Sequence, residues 1–213
     1  MIHVYAFTRV GNELPSRPGI GGGSLDACSV ADVAAVVSDV GADDLEPSRE
    51  AVLAHGYVVE ALREHAEAVL PVRFGERFRD RQQLAATVGD CLPELRERLT
   101  QVDGCCEFGV RMVAGATGDD RLSAADGSTY MRARLAARAR EDEVAAELHR
   151  PLARCSRAAV VAPGPHHAAA YLVRNEERPA FESALAGFVE AHPDVTVVCT
   201  GPWAPYTFAE ATS

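Results

Sequence analysis

Few residues in this chain have the type and spacing that chemistry requires. His55 stands in the middle of an apolar helical stripe, with no Ser or Cys nucleophile motif to serve. A hydrogen-bonded core imidazole is its expected role. His166 and His167 are neighbours, and adjacent residues of a strand point to opposite faces, so they do not chelate one ion. Glu60 and Glu64 lie one helical turn apart on a face expected to be solvated. Residues 19–24, Gly-Ile-Gly-Gly-Gly-Ser, suggest a phosphate cradle, but no helix follows and Ser24 replaces the third fingerprint glycine. A flexible surface loop is expected there instead. Asp119, Asp120 and Asp126 lack the spacing and the terminal Glu of a calcium loop. Patterns of the types GxSxG, HExxH, Walker and CxxC do not occur. The residues give no positive reason to expect an enzyme, and the expectation is of no catalytic residue, no cofactor and no metal.

Two stretches concentrate bulky apolar residues around prolines instead. In Val69-Leu-Pro-Val-Arg-Phe-Gly75, Pro71 argues for an edge strand or a strand start, where free backbone groups can accept another chain. Arg73 points opposite to Val72 and Phe74 and is expected to be a buried or half-buried ion-pair partner. In Thr200-Gly-Pro-Trp-Ala-Pro-Tyr-Thr-Phe208, Pro202 and Pro205 argue against helix and for a polyproline-like path. Trp203 and Tyr206 would then share one face. Burial of each ring would contribute roughly 2–3 kcal/mol. Either the tail is clamped onto its own domain, or it offers an aromatic patch to a partner. Leu70, Val72, Arg73, Phe74, Trp203 and Tyr206 are the candidate protein-interface residues.

The composition narrows the partners. A formal charge of -10 over 213 residues argues against nucleic acid and anionic membranes. All basic residues are arginine, which suits carboxylate recognition but also fits the codon bias of a GC-rich genome. Cysteines 28, 91, 105, 106, 155 and 199 show no CxxC spacing and sit in apolar runs, as reduced core thiols of a cytoplasmic protein would. No signal peptide is evident, and the apolar runs at 31–40 and 158–173 are too short or too interrupted to span a bilayer.

These residues must be positioned by a mixed set of elements. Strands are expected at 2–7, 25–29 and 31–37, the last two as a hairpin. Ser48 is a helix N-cap, followed by the stripe Val52, His55, Val59, Leu62 and Ala66. A strand over 68–74 precedes a second helix, capped by Asp80 and kinked or divided at Pro93. Gly104 ends it, and residues 105–113 form a strand. After a glycine- and aspartate-rich loop at 114–128, a long helix runs to about Cys155. Its second half is amphipathic through Val144, Leu148 and Leu152. Arg134, Arg138 and Glu141 interrupt that face in the first half, which is expected to overhang the core in solvent. Strands at 158–162 and 168–174, a helix opened by Pro179 and a strand at 194–200 complete the chain. The expectation is two α+β domains, 1–103 and 104–213. The second has the βαββαβ order of a ferredoxin-like fold, an antiparallel sheet with helices on one face.

The same stretches carry a resemblance. Val4-Tyr5-Ala-Phe7, Val36-Val37-Ser38, Val69 to Gly75, Glu107-Phe-Gly-Val110 and Thr200 to Phe208 occur in an order that resembles the gas vesicle protein GvpL/GvpF family over nearly the whole chain. The long helix after Gly127-Ser128-Thr129-Tyr130 fits too. The family tail often reads Trp-Pro-Pro-Tyr-Ser-Phe, where this chain has Ala204 and Thr207. The resemblance implies two α+β domains, the C-terminal one ferredoxin-like, and an accessory or minor structural role in gas vesicle assembly. The implied partners are the small hydrophobic shell protein, kept from aggregating during nucleation, and other gas vesicle accessory proteins. The implied location is the cytoplasm, at the gas vesicle. A second class stays open: a small-molecule-sensing regulatory protein on ferredoxin-like domains, which would show a ligand-dependent rise in melting temperature.

Overall fold

The computed structural model describes residues 1–41, 46–113, 127–162 and 167–209, with backbone only at 127–129. It is a mixed α/β structure with two antiparallel sheets. The chain groups into two compact units, Met1–Glu107 with the chain from Pro202 onward, and Phe108–Gly201. The expected split at 103/104 thus falls a few residues later, and the tail joins the first unit rather than the second. The physical reason is burial: Ala204 is fully buried in the first unit's core cluster.

The first unit holds β1 (Ile2–Arg9), β2 (Leu25–Val30), β3 (Val33–Asp39), α1 (Arg49–His65), β4 (Val69–Pro71), β5 (Arg77–Phe78), α2 (Arg81–Asp90) and α3 (Leu92–Val102). Its sheet order is β2-β3-β1-β4, with β5 also pairing β1. Consecutive residues of β1 and β3 are buried, so both faces of this sheet are covered. The hairpin of β2 and β3 pairs Leu25 with Ser38 through to Val30 with Val33, as its alternation predicts. Residues 19–24 are only in part the expected surface loop, with Gly21, Gly22 and Ser24 exposed. Ile20–Gly22 form a single 3-10 turn, and Gly19 and Ile20 are buried.

Ser48 caps α1 by accepting a hydrogen bond from the Ala51 N–H at 3.1 Å. The buried face of α1 is His55, Val58, Val59 and Leu62, whereas Val52 is exposed. β4 ends at Pro71, shorter than its apolar run, because Gly75 turns the chain at φ 96° toward β5. β4 closes one end of the strand order, the place that Pro71 tolerates. Asp80 caps α2, and the chain breaks at Cys91 into α3 with Pro93 in its first turn.

β6 (Cys105–Val113) leaves the first unit for the second, which adds α4 (Gly127–Arg154), β7 (Ala158–Val161), β8 (Ala168–Arg174), α5 (Arg178–Ala191) and β9 (Thr196–Trp203). Its sheet order is β7-β8-β6-β9. Phe108, Val110 and Met112 are buried, but Gly109, Arg111 and Val113 are not, the alternation of a sheet packed on one face. Phe108 stacks on Phe181 at 5.0 Å, and Tyr171 meets Phe181 edge-on at 5.3 Å. Residues 114–126, with Asp119, Asp120 and Asp126, and residues 163–166, with His166, lie outside the described residues. Cys105 and Cys106 are buried, but Cys199 is exposed, on a strand at the end of the sheet order, against the expectation of core thiols throughout.

After β9 the tail forms α6 (Tyr206–Ala209), a correction to the expected polyproline path. Pro202 sits in a terminal strand, and Pro205 immediately precedes the helix, so neither ring removes a needed N–H. Trp203 is therefore a strand residue and Tyr206 a helical one, without a shared polyproline face.

Candidate functional site

The chemically richest cluster is built where α1 crosses β1. The stripe of α1 turns His55 inward, and β1 supplies His3 and Tyr5 from its doubly covered path. His3 Nε2 and His55 Nδ1 are 2.9 Å apart, and His55 Nε2 lies 2.9 Å from the Val72 carbonyl oxygen. A carbonyl only accepts, so His55 carries its proton on Nε2 and accepts at Nδ1 from His3 Nε2–H. The remaining nitrogen, His3 Nδ1, is buried and makes no well-aligned hydrogen bond among the described residues, although the Glu76 backbone opposes the fall of the His3 pKa. The Tyr5 hydroxyl accepts from the Ile20 N–H at 2.8 Å and shares a 2.8 Å bond with Ser38 Oγ. Gly19 is required here, since a Cβ on it would lie 2.3 Å from that hydroxyl.

Electrostatics keep the cluster neutral. Burial, followed by the neighbouring His55, lowers the His3 pKa to about 4. Burial likewise lowers the His55 pKa, partly opposed by the Val72 carbonyl. Burial raises the Tyr5 pKa, opposed by Ser38 and Ile20. His3 and Tyr5 have no exposed surface and His55 has 3%, so the imidazoles reach no substrate. Their work is structural. They anchor the proline-framed stretch, whose Val72 N–H donates to the Tyr5 carbonyl at 2.9 Å and whose Phe74 ring meets His55 edge-on.

The tail is clamped to the same unit through carboxylates. The Ala204 N–H donates to Glu60 Oε1 at 2.9 Å, while Glu60 Oε2 pairs with Arg63. A proline in this place would have no N–H to give, which makes Ala204 a meaningful departure from the family tail. Glu107 accepts from both the N–H and the hydroxyl of Thr207, at 2.8 and 2.7 Å. Burial raises the Glu107 pKa against those two bonds. Arg98 Nη1 closes the end by donating to the Ala209 carbonyl at 2.7 Å.

The candidate interface residues therefore divide. Leu70 is in the core, and Val72, Phe74 and Tyr206 are half-buried, with Phe74 and Tyr206 packed against one core cluster. Burial, then the Glu60 charge, pushes the Tyr206 pKa up to about 12. Arg73 is exposed rather than buried, and Trp203 is 50% exposed. Sequence reasoning missed His3, because no spacing marks a histidine in the second position of a buried strand run. It also missed Glu60 and Glu107 as tail clamps, which bind residues roughly a hundred or more positions away.

Two further cavities lie among the described residues. One, of about 360 Å³, opens beside α1 and is lined by Arg17, Tyr57, Glu60 and Glu64, with the Arg17 guanidinium 5.1 Å from the Tyr57 ring centre. The other, of about 210 Å³, lies in the second unit between α4 and the sheet, with His149 bonded to the Tyr171 hydroxyl at 3.0 Å. Among the described residues, no group of three or more His, Cys, Asp or Glu is placed to share a metal ion. No described helix is long and apolar enough to cross a membrane.

Fold and site together define an α/β protein whose polar clusters brace its own segments. The chain belongs to the GvpL/GvpF family of gas vesicle synthesis proteins, whose model matches residues 1–210. It is 34% identical to gas vesicle protein F2 of Halobacterium salinarum, over 84% of this chain and 76% of that protein. It is 32% identical to gas vesicle protein L of a Streptomyces species, over 97% of this chain and 92% of the relative. Its fold is similar to the crystal structure of gas vesicle protein GvpF from an Anabaena species, with a TM-score of 0.85 at 14% identity, covering 100% of this chain and 97% of that one.

Proposed function

We propose that this chain acts in gas vesicle assembly as a non-enzymatic binding protein that holds the small hydrophobic shell protein and limits its aggregation during nucleation. The observation that carries the reading is the family match along residues 1–210. A half-exposed tryptophan on a tail fixed by three side chains supports the binding part. In this reading Arg73 and Trp203 make the contact, and Leu70, Val72, Phe74 and Tyr206 are the packing that fixes their backbone. Other gas vesicle accessory proteins are further partners, and the site of action is the cytoplasm at the growing vesicle. The second unit reads as ferredoxin-like, supported by its order of strand, helix, two strands, helix and strand and by the sheet order β7-β8-β6-β9.

The test is co-expression with the shell protein, with an unrelated acidic protein of similar size as control. The expected outcome is a several-fold larger soluble shell-protein fraction with this chain. An equal fraction in both would overturn the proposal.

A further inference from the structure

Among the described residues, little packs against the N-terminal half of α4. Every residue from Tyr130 to Arg140 is exposed except Ala137, which is half-buried. Met131 is 55% and Leu135 63% exposed, one turn apart. A helical stretch of this length without tertiary packing is marginal in water, so an unpartnered apolar stripe on it is a physical anomaly.

The charges along the same helix say what would cover it. Arg132, Arg134, Arg138 and Arg140 occur with no acidic residue among them. Then Glu141, Asp142, Glu143 and Glu147 follow with no arginine before Arg150. Over residues 131–149 the sign reverses once, between Arg140 and Glu141. A helix so divided is complementary to itself when turned end for end. Met131, Leu135, Ala139, Asp142 and Ala146 recur at four, four, three and four positions, which places them on one face. All five are exposed, though Asp142 and Ala146 also border the cavity beside the sheet, where Asp142 Oδ1 lies 3.7 Å from His167 Nε2; the buried Leu148 and Leu152 hold the C-terminal half to the sheet.

We infer that a second copy of this chain covers that face, with the two α4 helices antiparallel and crossing near Arg140 and Glu141. The arrangement is isologous, so each basic half meets the other copy's acidic half and the contact is made twice. Centred there, Leu135 of each copy packs over Ala146 of the other. The small Ala139 and Ala146 side chains let the helices approach closely. The occupant is self because the charge reversal matches this helix and its own image. The contact is modest in area and rich in charge, so the dimer is weak and sensitive to salt.

Sedimentation equilibrium of the full chain tests this. The wild type is expected to show a reversible monomer–dimer equilibrium with Kd on the order of 10 μM at low salt, weakened at least about tenfold at high salt. A variant reversed in the basic half (Arg132→Glu and Arg140→Glu) and one reversed in the acidic half (Glu143→Arg and Glu147→Arg), all on one flank of that face, each lose self-association but pair with one another when mixed. All four positions are exposed, and circular dichroism confirms folding; Leu135→Glu, a single exposed change, is a second route to a monomer. A wild type that stays monomeric throughout, or variants that dimerise as well as it does, would overturn the inference. So would a variant reversed in the basic half that stays dimeric yet no longer solubilises the shell protein, which would assign this face to that partner instead.

Discussion

Protonation of the His3–His55 pair would break a fixed order of donors, and the sign of its pH effect follows. Both folded pKa values lie below the ordinary histidine value, that of His3 at about 4. As pH falls below about 6.5 the unfolded chain takes up protons first, so stability is complete above that value and declines toward pH 4. Melting temperature measured from pH 7.5 to 4.5 should therefore fall most steeply in the lower part of the range. His55→Gln, which can keep a donor to the Val72 carbonyl without a titrating ring, should flatten the descent. A second prediction concerns Gly19, where Ala would place a Cβ 2.3 Å from the Tyr5 hydroxyl. Gly19→Ala is expected to cost about 1–3 kcal/mol by denaturant unfolding. Tyr5→Phe alone leaves the Ile20 N–H unpaired, at about 1–3 kcal/mol. The double variant should cost less than the sum, since one change removes the other's clash. At this scale the sequence was only partly legible. His55 could be read from the helical period around it, but His3, Tyr5 and Gly19 acquire their roles only when β1, β3 and the glycine turn meet.

Among the elements, the helices were the most readable, because caps and periodicity are local. Ser48 and Asp80 announce α1 and α2, and Pro93 marks the break between α2 and α3. The chain ends of the strands were less readable. β4 stops at Pro71, and β5 is a two-residue pairing too short for alternation to reveal. The tail was misread because prolines report only which N–H groups are missing. Pro205 is compatible with a helix that begins one residue later. The clamp on that helix is the element-scale prediction. Glu107→Ala removes both acceptors used by Thr207, and α6 is expected to open. Limited proteolysis should cut the tail several-fold faster, while the global unfolding free energy falls by only about 1–2 kcal/mol. Beyond the pairing of β3 with β1, the hairpin of β2 and β3 carries ion pairs from Arg81 to Asp26 and Asp39, and from Arg96 to Asp32. These pairs are exposed and so position more than they stabilise.

For the whole molecule, the α+β class and the family were legible from the order of a few segments. The partition of the chain was not, because a tail's allegiance depends on burial rather than adjacency: Ala204 enters the core of the unit that begins at Met1. The net charge of -10 agrees with a partner that is apolar rather than polyanionic. Whether these surfaces hold a hydrophobic polypeptide is decided most directly at Trp203. Its ring is half exposed, so Trp203→Ala should cost no more than about 1–2 kcal/mol in stability. The decisive measurement is recovery of the shell protein in a pull-down with Trp203→Ala, alone and with Arg73→Ala, beside wild type of matched folding. The account predicts a several-fold loss of captured shell protein with little change in melting temperature. Capture equal to wild type by both variants, or no capture by wild type above an unrelated acidic control, would contradict it.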